Sequence, residues 1–258
     1  MMSERVCVVT GATGVGGTGR ATVRHFSAEG WRVVVNYSHN EKEAQLTADE
    51  CARLGAAEVL VVRADITQDA DCAALANKVS QAWGRCDVLV NNAATTKVVP
   101  HRDFANLSGD DFRNILNLNV VGAYLATRAF AGLLQQTASA SVVNISSMGA
   151  LNGTGACMAY GASKAALNTM TLSLARALGP VVRVNALLPG FITGDWLISR
   201  QGPERYEKFK QDYTARSILD SVLDPEDVAQ AVWWLVHGPM KMTGELVQLD
   251  SGARLGRG

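Results

Sequence analysis

Seven short, almost continuously apolar runs alternate with helix-length segments along the chain. The first run opens directly into a cluster of glycines, and no shift in composition interrupts the pattern. These observations predict an α/β fold: a doubly wound parallel sheet of about seven strands with helices on both faces. The strands are expected at Arg5 to Thr10, Trp31 to Tyr37, Glu58 to Arg63, Val88 to Asn91, Ser141 to Ser146, Val181 to Leu188 and Glu245 to Asp250. Helices are expected over about 19–29, 40–54, 68–83, 109–135, 158–178 and 225–237. A strand covered on both sides never meets water, which is why these runs are continuous rather than alternating. Right-handed crossovers between them make a Rossmann-type layout, whose ligands sit at the carboxyl ends of the strands. No repeat, linker or low-complexity tract divides the chain, so residues 1–258 are expected to form one domain.

Composition narrows the function classes. The chain is 48% hydrophobic and 19% charged, with zero formal net charge, which makes no electrostatic case for nucleic acid or an anionic membrane. Five dispersed cysteines form no Cys-x-x-Cys pair and four histidines are equally scattered. They are expected to be reduced thiols and ordinary imidazoles, with no metal site. No signal segment precedes the first strand and no apolar run approaches a membrane span. A soluble, cytoplasmic protein is expected.

The glycine cluster Gly11 to Gly19 lies between the first strand and the first helix. Glycines let backbone approach a pyrophosphate closely, and the following helix N-terminus favours its charge. At the end of the second strand, where a carboxylate would hold the ribose of NAD, stand Asn36, Tyr37, Ser38, His39 and Asn40, followed by Lys42. No acid is present at the strand end to repel a 2′-phosphate, so NADP(H) is preferred, with NAD(H) the alternative. The same stretch also suits a helix cap built on Asn40. Asp65 either accepts from an adenine amine or caps a turn. Asn119 falls midway along an apolar helix, where an amide is expected to be either functional or a satisfied buried group.

The chemistry is concentrated in Ser147 to Lys164. On a helix, Tyr160 and Lys164 share one face a turn apart. A free phenol titrates near ~10, and a neighbouring ammonium is expected to pull it toward the working range. Ser147 then holds a carbonyl oxygen while Tyr160 gives or takes its proton.

In its glycine loop, Asp65, Asn91-Asn92-Ala93, Asn119, Ser147, Tyr160, Lys164 and Pro189-Gly190, in that order, the chain resembles the short-chain dehydrogenase/reductase family. It is similar to the single-domain group that includes 3-oxoacyl-acyl-carrier-protein reductases. The resemblance implies that Ser147 orients the carbonyl and Tyr160 is the proton donor. Lys164 binds the nicotinamide ribose and tunes the phenol, and Asn119 holds a water leading to solvent. Ser147 is chosen over Ser146 because the family's serine precedes its tyrosine by thirteen residues. The implied cofactor contacts begin with Gly11, Thr13, Gly14, Gly17, Thr18 and Gly19 in the loop. They continue through Asn36, Tyr37 and Ser38, then Asp65 and Ile66, then Asn92, Ala93 and Ala94. Tyr160 and Lys164 complete them with Pro189, Gly190, Ile192 and Thr193 along the nicotinamide.

The pattern departs from the family in the loop: either two extra residues precede Gly17-Thr18-Gly19, or Gly11, Gly14 and Gly17 follow the Gly-x-x-Gly-x-x-Gly spacing of the family's larger, epimerase-like branch. The arginine common in NADP-using relatives is missing there. Ala94 replaces the usual glycine, and Thr193 arrives one residue early. Residues 195–223, with Trp196, Tyr206, Phe209 and Tyr213, are expected either to be a mobile substrate lid or to be surface helices packing aromatics on the core. No basic patch for a carrier protein stands out. The resemblance implies a homotetramer joined through 109–135 and 158–178. The resulting expectation is an NADP(H)-dependent oxidoreductase acting on a ketone, such as a 3-oxoacyl thioester, or on the matching secondary alcohol. A non-catalytic NADP-binding sensor and a cofactor-retaining dehydratase or epimerase are the alternatives.

Overall fold

The structure, a computed structural model, describes residues 4–14 and 16–257; Val15, inside the glycine loop, lies outside the described residues. Seven parallel strands form one sheet in the order β3-β2-β1-β4-β5-β6-β7. They are β1 (Val6–Val9), β2 (Arg32–Tyr37), β3 (Val59–Arg63), β4 (Val88–Asn91), β5 (Ser141–Ile145), β6 (Arg183–Pro189) and β7 (Leu246–Leu249). Strand order reverses between β1 and β4, and the paired ends of these two strands open the crevice used by ligands in such sheets.

Alternate residues of each strand feed opposite layers. Cys7 and Val9 join Val33, Val35, Val88 and Val90 in a core with Phe26, Trp31, Val228, Val232 and Leu235. Val6 and Val8 face the other way, toward Val34, Leu89, Phe130, Leu134, Val142 and Val184. The first layer is closed by α1 (Thr18–Ala28), α2 (Glu41–Leu54) and α10 (Pro225–His237). The second is closed mainly by α3 (Asp69–Trp83) and α5 (Ala123–Gln135), with the C-terminal part of α7 (Met158–Leu178) beside them. Shorter helices α4 (Gly109–Leu116) and α6 (Gly149–Asn152) lie near the strand ends. The pair α8 (Asp195–Gln201) and α9 (Pro203–Arg216) follows β6. Residues 195–223, expected as a mobile lid or as surface helices packing aromatics on the core, are largely helical, and Tyr206 and Tyr213 of α9 are buried against Phe191.

The expected helix over 109–135 is continuous but not uniform. Between α4 and α5 the backbone widens into a π-helical turn over Asn117–Gly122. Such a turn adds a residue and re-aims its neighbours, and here it carries Asn119.

One buried charge holds the far end of the sheet. Arg183, 6% exposed, donates to the carbonyls of Leu235 (3.0 Å), Val236 (2.8 Å) and Met242 (3.3 Å). It thereby caps the C-terminus of α10, where free carbonyls and the helix dipole favour a cation. Replacing it orphans carbonyls that water cannot reach. Arg183→Leu is expected to lower unfolding free energy by about 2–4 kcal/mol. Urea unfolding checks this, with an unchanged midpoint as the contrary result.

Candidate active site

A cavity of about 660 Å³ runs along the carboxyl ends of the strands, from Ser38 and Asp65 at one end to Tyr160 and the α8–α9 pair at the other. Its size falls in the range of roughly 300–1,000 Å³ typical of small-molecule sites.

The glycine loop forms one wall and is clamped by Asn92. The Asn92 amide donates to the carbonyls of Thr10 (3.0 Å) and Gly11 (2.9 Å), while its oxygen accepts from the Thr18 hydroxyl (2.6 Å). The clamp leaves no room for a side chain at Gly19, where a Cβ would lie 2.4 Å from the Asn92 nitrogen and 2.5 Å from the Gly11 oxygen. Gly11, Gly16, Gly17, Thr18 and Gly19 all line the cavity at the start of α1, a ready anion site. These residues fit a dinucleotide pyrophosphate. Gly16, which the sequence reading did not single out, is part of this wall. Gly14 was expected there but does not border the cavity; it accepts from the Gly17 N–H at 3.1 Å and turns the added residues back on themselves.

At the end of β2 the expected donors separate. Tyr37 does not line the cavity: as the last strand residue it alternates into the core, where it is 7% exposed. Asn36 borders the cavity but spends its side chain internally, accepting from the Gly11 N–H (3.2 Å) and donating to the Ala64 carbonyl (3.1 Å). Ser38 remains at the cavity wall. Arg63, at the end of β3 and absent from the sequence reading, donates to the Ser38 carbonyl at 3.3 Å. Asn40 does cap α2, through the Glu43 N–H at 3.2 Å. Asp65 closes a turn onto Thr67 through one oxygen, at 2.9 Å from its N–H and 2.8 Å from its hydroxyl, while also lining the cavity beside Ile66. Thr13, Ala93 and Ala94 line it as well.

At the other end, α7 packs along β6 and reaches the end of β5, which sets Tyr160 and Lys164 on one wall with Ser147, the second residue after β5. The two adjacent serines divide their tasks. Ser146 is buried and donates to Asn168 at 2.6 Å. The Ser147 oxygen accepts from the Gly149 N–H at 3.1 Å, and its hydroxyl acts on the neighbouring Tyr160 phenol. Lys164 is 2% exposed and donates to the Ile145 carbonyl at 2.7 Å, with its nitrogen 5.7 Å from the centre of the Tyr160 ring.

The electrostatics differ from the expectation that the ammonium pulls the phenol down. Burial pushes Tyr160 up to about 12, with the Ser147 hydroxyl only partly opposing it. Burial also lowers Lys164 to about 7. Desolvation is the first cause of both shifts.

Asn119 does not border the cavity. It is 1% exposed, accepts from the Thr95 N–H at 2.8 Å and donates to the Thr95 carbonyl and the Ser163 hydroxyl, each at 3.0 Å. It braces α7 from behind, since Ser163 donates in turn to the Tyr160 carbonyl at 2.7 Å. Pro189, Gly190, Ile192 and Thr193 line the cavity opposite α7. The Thr193 hydroxyl donates to Asp224, the cap of α10. Gly190 is needed for close packing, because a Cβ there would lie 2.0 Å from the Tyr213 hydroxyl. Among the described residues no cluster of His, Cys, Asp and Glu has metal-binding geometry. No helix among them is long and apolar enough to cross a membrane.

The Lys164 shift sets a sign for stability against pH. Its folded value of about 7 lies below the ordinary 10.5, so between these limits the unfolded chain binds more protons. The cost of burying the amine is full below about pH 7 and fades as pH rises. Lys164→Met should gain on the wild type by on the order of 2 kcal/mol more at about pH 6 than at about pH 9. Unfolding curves at the two pH values measure it, and a pH-independent difference would refute the shift.

With this geometry in place, comparison with known proteins is direct. A family model described as Enoyl-(Acyl carrier protein) reductase matches residues 11–254. The chain is 35% identical over 250 residues to a protein named as ketoacyl reductase 2 of the granaticin polyketide synthase of Streptomyces violaceoruber, covering 97% of this chain and 96% of the relative. It is 30% identical over 253 residues to the 3-oxoacyl-[acyl-carrier-protein] reductase of Thermotoga maritima, covering 97% and 98%. A crystal structure of a short-chain dehydrogenase/reductase from Burkholderia xenovorans superposes with a TM-score of 0.89 at 37% identity, over 99% of this chain and 100% of the other. The chain belongs to the short-chain dehydrogenase/reductase family, whose members are oxidoreductases acting on CH–OH and C=O groups with a nicotinamide cofactor.

Proposed function

We propose that the protein reduces a ketone with NADPH, Tyr160 being the proton donor. The observation that carries this reading is a single cavity lined by both the glycine loop and the Ser147, Tyr160 and Lys164 side chains. When bound, the cofactor supplies the hydride. Ser147 and Tyr160 hydroxyls hold the carbonyl oxygen, and Tyr160 transfers its proton to that oxygen as it gains negative charge. With its phenol up at about 12, Tyr160 stays protonated throughout the neutral range, which suits reduction over oxidation. Lys164 holds the ribose hydroxyls, and Asn119 acts as a positioning residue for α7 and for the proton path behind it. Gly11, Gly17, Thr18 and Gly19 hold the pyrophosphate, and Asp65 and Ile66 flank the adenine. Asn92, Ala93 and Ala94 let the cofactor pass, while Pro189, Gly190, Ile192 and Thr193 back the nicotinamide. NADP(H) is preferred over NAD(H) because Ser38 borders the cavity at the end of β2, the Arg63 guanidinium lies against the Ser38 carbonyl, and no carboxylate stands at the tip of β2.

The two reductase relatives favour a 3-oxoacyl thioester as the ketone. In this reading residues 1–258 act as one cytoplasmic domain with a lid over 195–223. The protein is a homotetramer, with exposed Val121 and Tyr124 at the helix surface available for subunit contact.

Tyr160→Phe should lower ketone-dependent NADPH oxidation by about 100-fold or more with cofactor affinity nearly intact. Turnover equal to the wild type would remove Tyr160 from the acid role. Product formed without net NADPH consumption would instead support an epimerase or dehydratase. NADPH should bind more tightly than NADH, and Arg63→Gln should erase about tenfold of that preference. Equal affinities in calorimetric titration of the wild type would contradict the assignment.

A further inference from the structure

Three arginines border the α8–α9 side of the cavity: Arg205 and Arg216 at the two ends of α9, and Arg254 beyond β7. All three side chains reach solvent, and none forms an ion pair with a carboxylate among the described residues. Partners were within reach. Asp212 lies one helical turn from Arg216, yet the Arg216 guanidinium sits 4.5 Å from the centre of the Tyr213 ring instead. Arg257, three residues after Arg254, does pair with Asp220 and donates to the Ser217 carbonyl at 3.0 Å, pinning the C-terminal turn to the end of α9. The carboxylate on this stretch of wall, Asp250, is already committed. Its oxygens accept from the Gly252 N–H at 3.0 Å and the Arg254 N–H at 2.9 Å.

This end of the cavity thus presents three guanidinium groups against one carboxylate, Asp250, beside an apolar surface of Phe209 and Ala253. A cleft with an excess of one sign of charge concentrates ligands of the opposite sign, and the guanidinium fork matches carboxylate and phosphate oxygens. We propose that Arg205, Arg216 and Arg254 form an oxyanion-binding mouth, so that the substrate is a ketone whose far end carries a carboxylate or phosphate. The assignment rests on the ketone-reductase reading and specifies the substrate class of that site. The apolar surface takes the carbon chain between the two polar ends.

The test uses the full chain with NADPH and three matched series of ketones of increasing chain length, ending in a carboxylate, a phosphate or a neutral carboxamide. At the best chain length an anionic ketone should exceed its carboxamide in kcat/KM by about tenfold or more, mainly through KM, and the advantage should shrink at high salt. Whichever anion gains more identifies the group. In Arg216→Gln and Arg254→Gln the ratio of anion to amide should fall toward one, and Arg216→Lys should restore part of it. Equal kcat/KM for anion and amide in the wild type, or a ratio unchanged in the glutamine variants, overturns the proposal. Calorimetric binding of the same compounds separates the two readings. Tighter binding of the anions without turnover would keep the mouth and sink the reductase reading, whereas turnover without anion preference would do the reverse.

Discussion

Packing of α7 beside the end of β5 buries the Lys164 amine almost fully and the Tyr160 phenol in part, and the site depends on that burial. Lys164 is held by one strong bond to the Ile145 carbonyl. Both shifts follow from desolvation, which disfavours the ammonium on one side and the phenolate on the other. A protein that needs a phenol to give up a proton gains from keeping it neutral until a partner charge develops. Stability is spent on the lysine, and the sheet has to carry that cost.

Beneath the reactive wall lies a polar layer that carries part of it. Asn91 donates to Asn144 at 2.8 Å and to Thr127 at 2.9 Å, and Asn144 donates to Thr171 at 2.9 Å. Ser146 ties β5 to α7 through Asn168. Buried amides joined in this way fix the strands and helix in one register, since any slip would orphan several groups at once. Asn119 extends the same principle from the π-helical turn to the back of α7.

The strands were legible because residues such as Val33, Leu89 and Val184 are buried on both faces of the sheet and appear as continuous apolar runs. Ser147, Tyr160 and Lys164 were legible because their spacing on one strand-to-helix unit is local. What escaped the sequence was decided by direction and by distance along the chain. Tyr37 stands where the sequence suggests a ligand contact, but strand alternation turns it into the core while Ser38 stays at the cavity. Asn119 is conspicuous as an amide in an apolar helix, yet nothing local shows the widened turn that aims it at Thr95. Arg205, Arg216 and Arg254 form no patch in sequence because α9 and the turn after β7 are brought together only by the fold.

The lengthened glycine loop shows how a departure from family spacing is absorbed. The cavity wall is kept, because Gly14 and Gly17 close a turn on themselves and Gly19 keeps its close approach to Asn92. Gly16 meets the segment just before α8. A Cβ at Gly194 would lie 2.5 Å from the Gly16 carbonyl oxygen, so the two backbones touch where both residues hold positive φ. Glycine is the residue that tolerates both the conformation and the contact. The loop that borders the anion site at the head of α1 therefore also abuts the first residue before α8. Displacement of one segment must be felt by the other, because packed backbone offers no soft side chain to take up the movement.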